Sequence, residues 1–135
     1  DPMKKIVGIF HAGWQGTLSK IGNEFINTMK MVFHSKVKDL VVGIGPSICC
    51  DCYQVGEDLI VKFKDVFNND SDRFIKAVNG SFYLDLWEAN KLIMEECGVK
   101  NIEVAGICTA HNLNEWYSHR GEFGKIGRFG AVISL

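Results

Sequence analysis

The apolar positions of the 135-residue chain change period several times. Ile6, Val7, Ile9 and Phe10 form a short run rich in β-branched residues and bounded by a glycine-containing turn, which is the pattern of a strand buried on both faces. Leu18, Ile21, Phe25, Met29, Val32 and Phe33 then recur at steps of three and four, predicting one amphipathic helix of about four turns. Residues Leu40 to Ile44 read as a second strand, stopped by Gly45-Pro46. A second helix opens at Gly56: Glu57 and Asp58 place negative charge at its positive end, and Leu59, Phe63, Val66 and Phe67 supply its inner stripe. Asn68 to Asp72 is a polar exit loop, followed by a short strand at Phe82 to Leu84. Asp85 and Glu88 have capping-box spacing and start a third helix that Gly98 can end. Strands at Ile102 to Ile107 and Arg128 to Leu135 complete the pattern.

Strands interleaved with helices predict a layered α/β (α+β) domain with flanking helices. The sheet should be mixed, because the last strand arrives without an intervening helix. No internal repeat or linker divides the chain, so residues 1–135 read as a single domain. That length is enough for a self-sufficient core.

Charge narrows the partners. Fifteen basic residues against sixteen acidic ones give a formal net charge of -1, and the Lys and Arg residues are scattered, which argues against a nucleic-acid-binding face. No segment approaches the roughly 20 consecutive apolar residues that span a bilayer. Five cysteines, an odd number with Cys49, Cys50 and Cys52 crowded together, make a poor disulfide framework and fit reduced thiols in a cytoplasm better. The chain opens Asp1-Pro2-Met3 with no secretory pattern, and it enters its first strand within a few residues. The expectation is that it is the C-terminal part of a longer domain.

Functional side chains in such folds gather on loops beyond strand ends. Three loops qualify. In His11-Ala12-Gly13-Trp14-Gln15-Gly16, small residues let backbone approach a ligand and an imidazole projects from a rigid support. Taken alone, a single histidine is more often structural than a ligand. The second loop, Gly45 to Tyr53, holds three thiols in four positions. A closed zinc site needs four ligands, however, and no second cysteine pair follows, so these cysteines read as small core residues. The third runs from Cys108 through His111 to Arg120. It carries His111 and His119, the anion-binding guanidinium of Arg120, and Trp116 and Tyr117 for stacking on a flat ring, or it is a surface loop packed by its aromatics.

Together these loops resemble one family. HAGWQG is similar to its HAGWRG, GIGPSICCDCYQVG to its strand-GPxI segment ending in Tyr/Phe-x-Val-Gly, and YLDLWEAN to its LDL-x-x-x-N helix start. CTAHNLNEWYSHRGEFGKIGR resembles its Cys-Thr, aromatic-Ser-Tyr-Arg and Gly-Arg series. This is the YfiH-type family, described as laccase-domain or polyphenol oxidase proteins and as purine nucleoside phosphorylases. The ordered set covers nearly the whole chain.

The resemblance implies a fold related to the catalytic domain of cytotoxic necrotizing factor. It implies zinc, with copper as the alternative, held by the HAGWRG histidine and by a histidine and a cysteine that both precede that motif. Only His11 matches, so the two further ligands are expected upstream of Asp1, and the chain alone is not expected to hold metal tightly or turn over. The implied activity is phosphorolysis of purine nucleosides such as adenosine, inosine and methylthioadenosine, with adenosine deamination beside it. On that basis His11 and Arg120 are the catalytic candidates, and Trp14, Gln15, His111, Ser118 and His119 the substrate-binding ones. Gln15 stands where the family has Arg or Lys, and Gly121 where it often has a second Arg, which weakens phosphate contacts at both positions. Copper-dependent phenol oxidation competes with this reading, although four histidines at unrelated spacings cannot furnish a multicopper centre. A non-catalytic binding module is the third possibility. The partners expected are a purine nucleoside and phosphate, and open sheet edges would favour a homo-oligomer.

Overall fold

The computed structural model describes residues 1–125 and 127–135. It is a mixed α/β arrangement with nine helices and strands among the described residues: α1 (Trp14–Leu18), α2 (Ile21–Met31), β1 (Val41–Ile44), β2 (Gln54–Val55), α3 (Glu57–Phe67), β3 (Ile75–Val78), β4 (Ser81–Leu84), α4 (Leu86–Glu96) and β5 (Asn101–Val104). Short 3-10 turns link several of them.

The expected mixed sheet is divided in two. Strands β1 and β5 pair in parallel, with Val41 opposite Asn101, whereas β2, β4 and β3 form an antiparallel sheet in that spatial order. An isolated parallel bridge between Ser47 and Cys108 carries the β1–β5 pairing beyond the carboxyl ends of both strands. The loops that follow them therefore leave side by side.

The core lies between the helices and these sheets. Phe63, Phe67 and Phe74 pack as one aromatic group, with Phe67 and Phe74 edge to face at 5.1 Å between centroids, and Ile26, Leu84, Ala89 and Ile93 close around them. The Asp85 side chain accepts a 3.0 Å bond from the Glu88 backbone N–H, satisfying a free amide of the first turn of α4. Gly98 sits at φ +89 just past the helix, a conformation that costs glycine nothing.

Three expected elements differ. The helix expected from Leu18 to Phe33 is broken at Ser19-Lys20: Lys20 is left-handed at φ 52, so α1 and α2 are separate. Its ammonium reaches Glu96 at 3.0 Å and lies 4.7 Å from the Phe67 ring centroid, contacts that hold a residue of unfavourable φ in place. Residues 6–10 form no strand ladder among the described residues. Their side chains nevertheless alternate. Ile6 and Phe10 pack on the core, Gly8 lies against the Phe25 ring, and Val7 and Ile9 face outward. A period of two without a hydrogen-bonding neighbour does not make a sheet. Residues 128–135 likewise form no strand, and Val132 is 92% exposed, because no backbone partner lies beside them among the described residues.

Candidate functional site

His11 ends the extended-patterned run and is exposed. Its position is fixed from the helix side and not by a sheet. Phe10 stacks on Phe25 with centroids 4.6 Å apart, and Ala12 offers its carbonyl to the Thr17 hydroxyl at 3.3 Å. Thr17 is fully buried and accepts a 2.9 Å bond from Asn90 on α4. Asn90 is the last residue of the YLDLWEAN motif, so that motif anchors the HAGWQG loop. Gly13 leaves room for the imidazole: a Cβ there would stand 2.9 Å from His11 Nε2.

Trp14, at the start of α1, faces a cleft of about 570 Å³ whose walls include Tyr53, Gln54, Asp58, Lys62 and Arg120. Such a volume suits a small molecule. The Arg120 guanidinium donates to the Gln54 carbonyl at 2.6 Å and lies 5.2 Å from the Tyr53 ring centroid. Burial pushes the Tyr53 phenol above its ordinary range, and the neighbouring Arg120 charge opposes that shift. The cleft thus places two aromatic rings and two cations at one surface.

The remaining candidates lie around it in different settings. Gln15 is exposed in the first turn of α1 and does not line the cleft. Ser118 is buried in its own turn, where its hydroxyl accepts from the Gly121 N–H at 3.2 Å and its N–H donates to Glu122 at 2.9 Å. His119 is exposed, with its imidazole beside Gly124.

His111 belongs to a different cluster. The ligand atoms of Cys49, Cys52, Cys108 and His111 all lie within 4.8 Å of one another, a group able to hold a metal ion. Cys52 Sγ is 3.0 Å from His111 Nε2, Cys49 Sγ is 3.8 Å from His111 Nδ1, and the Cys49 backbone N–H donates to Cys108 Sγ at 3.3 Å. Burial and a hydrogen bond with Cys49 push the Cys52 thiol up to about 12, and burial raises Cys49 as well. Burial also acts to raise Cys108, but N–H groups directed at its sulfur outweigh it and bring it below the ordinary thiol range.

Reading the three cysteines of the Gly45–Tyr53 loop as core residues fits Cys50, which is buried and outside the cluster, and fails for Cys49 and Cys52, which join Cys108 and His111 in it. The available signal was Cys49-x-x-Cys52 paired with Cys108-x-x-His111, four donors at zinc-ligand spacing. A search for a second cysteine pair overlooks it because one member is histidine. His11 is outside this cluster, which is the one such group of three or more donors among the described residues.

A layered α/β chain with an aromatic and cationic cleft, and metal donors on loops beyond its parallel strands, has the makings of a small-molecule site. The chain belongs to the multi-copper polyphenol oxidoreductase laccase family, whose model matches residues 1–135. Among its relatives is the purine nucleoside phosphorylase YlmD of Bacillus subtilis (strain 168), 34% identical over 137 residues that take in 100% of this chain and 49% of that protein. Another is the adenosine deaminase RL5 of an unknown prokaryotic organism, 30% identical over 89% of this chain and 47% of that protein. The crystal structure of the Bacillus licheniformis hypothetical protein YfiH superposes with a TM-score of 0.84 at 31% identity, covering 96% of this chain and 52% of that one. The chain thus spans about half the length of the relatives it matches.

Proposed function

We propose that these residues form the C-terminal part of a YfiH-like domain, and that the longer protein is a cytoplasmic purine nucleoside phosphorylase with adenosine deamination as a second activity. The observation that carries this reading is the cleft in which Trp14 and Tyr53 stand with Arg120 and Lys62. A purine presents a flat face that aromatic rings accept, and phosphate requires cations. The names of the relatives support both activities.

In phosphorolysis a phosphate oxygen bonds to the ribose anomeric carbon while the bond to the purine nitrogen breaks, and the purine departs with the electron pair and takes up a proton. Arg120, braced by the Gln54 carbonyl and the Tyr53 ring, is the proposed phosphate contact, with Lys62 adding charge from the same wall. Trp14 and Tyr53 are the surfaces for the base. His119 is the candidate to protonate the leaving purine, since His111 is engaged with Cys52. Gln15, beside Trp14 but outside the cleft wall, and Ser118, buried in the turn that carries Arg120, are proposed to bear on the substrate only through those neighbours.

His11 is proposed as one ligand of a zinc ion whose other two ligands lie outside residues 1–135. One imidazole is not a metal site, and the chain by itself does not complete one around His11. The β1–β5 pair has no further strand on either side among the described residues, and Val41 is 55% exposed, which supports association of copies through these edges. The family's description favours copper-dependent phenol oxidation as a second reading.

One experiment separates them. The longer protein is incubated with inosine or adenosine, with and without phosphate, and free base and ribose phosphate are resolved by chromatography. Phosphate-dependent base release is expected, and inosine formed from adenosine without phosphate marks deamination. Oxygen uptake with a phenol in place of both supports the second reading. Neither, in metal-loaded protein, overturns the proposal.

A further inference from the structure

We propose that Cys49, Cys52, Cys108 and His111 bind one Zn²⁺ in a closed structural site, separate from any ion at His11, that clamps the loop after β1 to the loop after β5. Every donor is supplied by this chain, so the inference does not rest on the nucleoside reading. It also replaces the expectation that the chain alone does not hold metal tightly.

Four arguments converge. First, the donor set is three thiolates and one imidazole, a combination that selects tetrahedral zinc. Second, Zn–S bonds of about 2.3 Å require neighbouring sulfurs about 3.8 Å apart and S···N edges slightly shorter. One imidazole nitrogen ligates the ion, and either one already stands beside a cysteine sulfur, Nε2 at 3.0 Å from Cys52 Sγ and Nδ1 at 3.8 Å from Cys49 Sγ; with the four donor atoms all inside 4.8 Å of one another, shifts of about 1 Å bring them to zinc distances. Third, the Cys49 N–H points at Cys108 Sγ, an outer hydrogen bond of the kind that orients a metal-bound thiolate. Fourth, the Cys49 and Cys52 segment and the Cys108 and His111 segment are held together by backbone bonds, Ser47 N–H to Ile107 O at 3.2 Å and Thr109 N–H to Ser47 O at 3.1 Å. The cage is therefore built on paired backbone and does not depend on flexible side chains meeting.

With four protein ligands no position remains for water or substrate, which marks a structural ion and not a catalytic one. Binding releases the three thiol protons, leaving three thiolates against a divalent cation. The ion would cross-link residues 59 apart in sequence, where closing a long loop removes the most freedom from the unfolded chain. The first of these loops leads into β2 at Gln54 and the second carries Arg120, so the ion would also stiffen the base of the arm that brings Arg120 to the cleft.

The test uses cobalt as the probe. The reduced, metal-free protein is titrated with Co²⁺, then with Zn²⁺. One equivalent of cobalt should give thiolate-to-cobalt charge-transfer bands and the visible bands of tetrahedral cobalt, and one equivalent of zinc should bleach them. The signal should persist in His11→Ala and Cys97→Ser and disappear in Cys52→Ser and Cys108→Ser. Because the serine variants could fail to fold, the wild-type protein is also alkylated with and without zinc, each cysteine being read by peptide mass spectrometry. Zinc should protect Cys49, Cys52 and Cys108 and leave Cys97 unchanged. No charge-transfer band in the wild-type protein, loss of the band in His11→Ala, a Cys49–Cys52 disulfide in protein purified under reducing conditions, or copper or iron in place of zinc as the ion retained on purification would each overturn the assignment.

Discussion

Asn90 of α4 donates a 2.9 Å hydrogen bond to the hydroxyl of Thr17, 73 residues earlier, and that hydroxyl in turn donates to the Ala12 carbonyl beside His11 at 3.3 Å. A motif at the start of one helix thus holds a loop at the start of another. Thr17 is 0% exposed and Ala12 and Asn90 are half-buried, so removing the hydroxyl leaves both partners to recover their bonds only in part. Thr17→Val keeps the shape and deletes the bond, and should cost about 1–3 kcal/mol, the penalty for leaving buried polar groups unpaired. Thr17→Ser keeps the hydroxyl and should lose about 1 kcal/mol or less from its missing methyl. Urea unfolding midpoints compare the three proteins; a Val variant as stable as the wild type would show that the relay contributes nothing.

Much of the architecture can be read from local rules. The Asp85 cap of α4 and the Gly98 stop each depend on residues a few positions apart and stand as expected, whereas the α3 stripe is only partly as read: Phe63 and Phe67 are buried, but Ile60 takes the inner place given to Val66, which is exposed. Strand β3 is missed because Ile75-Lys76-Ala77-Val78 is short, although Asn79-Gly80, both at positive φ, is the signature of a tight hairpin into β4. What local rules cannot supply is partnership. The break at Lys20 depends on Glu96 and Phe67, and the unpaired state of residues 6–10 depends on which backbone lies alongside. At the site, the sequence offers Arg120 as a candidate for an anion, whereas its union with Tyr53, Gln54 and Lys62 requires the fold. The cysteine cluster is the converse: its spacing was present in the sequence, and its meaning follows only once β1 and β5 are seen to be neighbours.

Gly13 has φ -72 and ψ -175, a conformation open to any residue, so alanine there meets no backbone strain. Its methyl would, however, stand 2.9 Å from His11 Nε2, and the exposed imidazole is the group free to yield. Gly13→Ala should leave the unfolding midpoint within the equivalent of about 0.5 kcal/mol. It should shift the His11 ring signals in NMR spectra and lower turnover of the longer protein by about tenfold or more, because small misplacements of a reacting group are costly. Unchanged ring signals would mean that the glycine does not shape this position.

Cys97, at the end of α4, has its thiol raised by burial, with the Glu96 charge adding to the shift and Lys30 and Lys20 opposing it. Its Sγ also donates to Asn23 Oδ1 at 3.4 Å. Alkylation requires the thiolate, so a raised pKa keeps the thiol protonated to higher pH. The iodoacetamide rate at Cys97, followed by peptide mass spectrometry, should lag that of a free thiol at pH 8 and rise at a pH above the ordinary thiol range. A rate equal to that of free cysteine at pH 8 would contradict the shift.

Arg120 performs two tasks in the proposed reaction, and they can be separated. Its Nη1 secures the Gln54 carbonyl while the rest of the guanidinium faces the cleft over Tyr53. A charge-assisted hydrogen bond contributes about 1.5–3 kcal/mol, so Arg120→Ala in the longer protein should raise the KM for phosphate about ten- to hundredfold. Arg120→Lys keeps the charge but not the planar fork, and should recover part of that loss. The KM for the nucleoside should change little if Trp14 and Tyr53 hold the base. Steady-state kinetics with phosphate and inosine varied independently give both constants. A loss confined to the nucleoside KM would move Arg120 from the anion to the sugar or base, and equal losses in both would indicate that its structural bond to Gln54 is its main contribution.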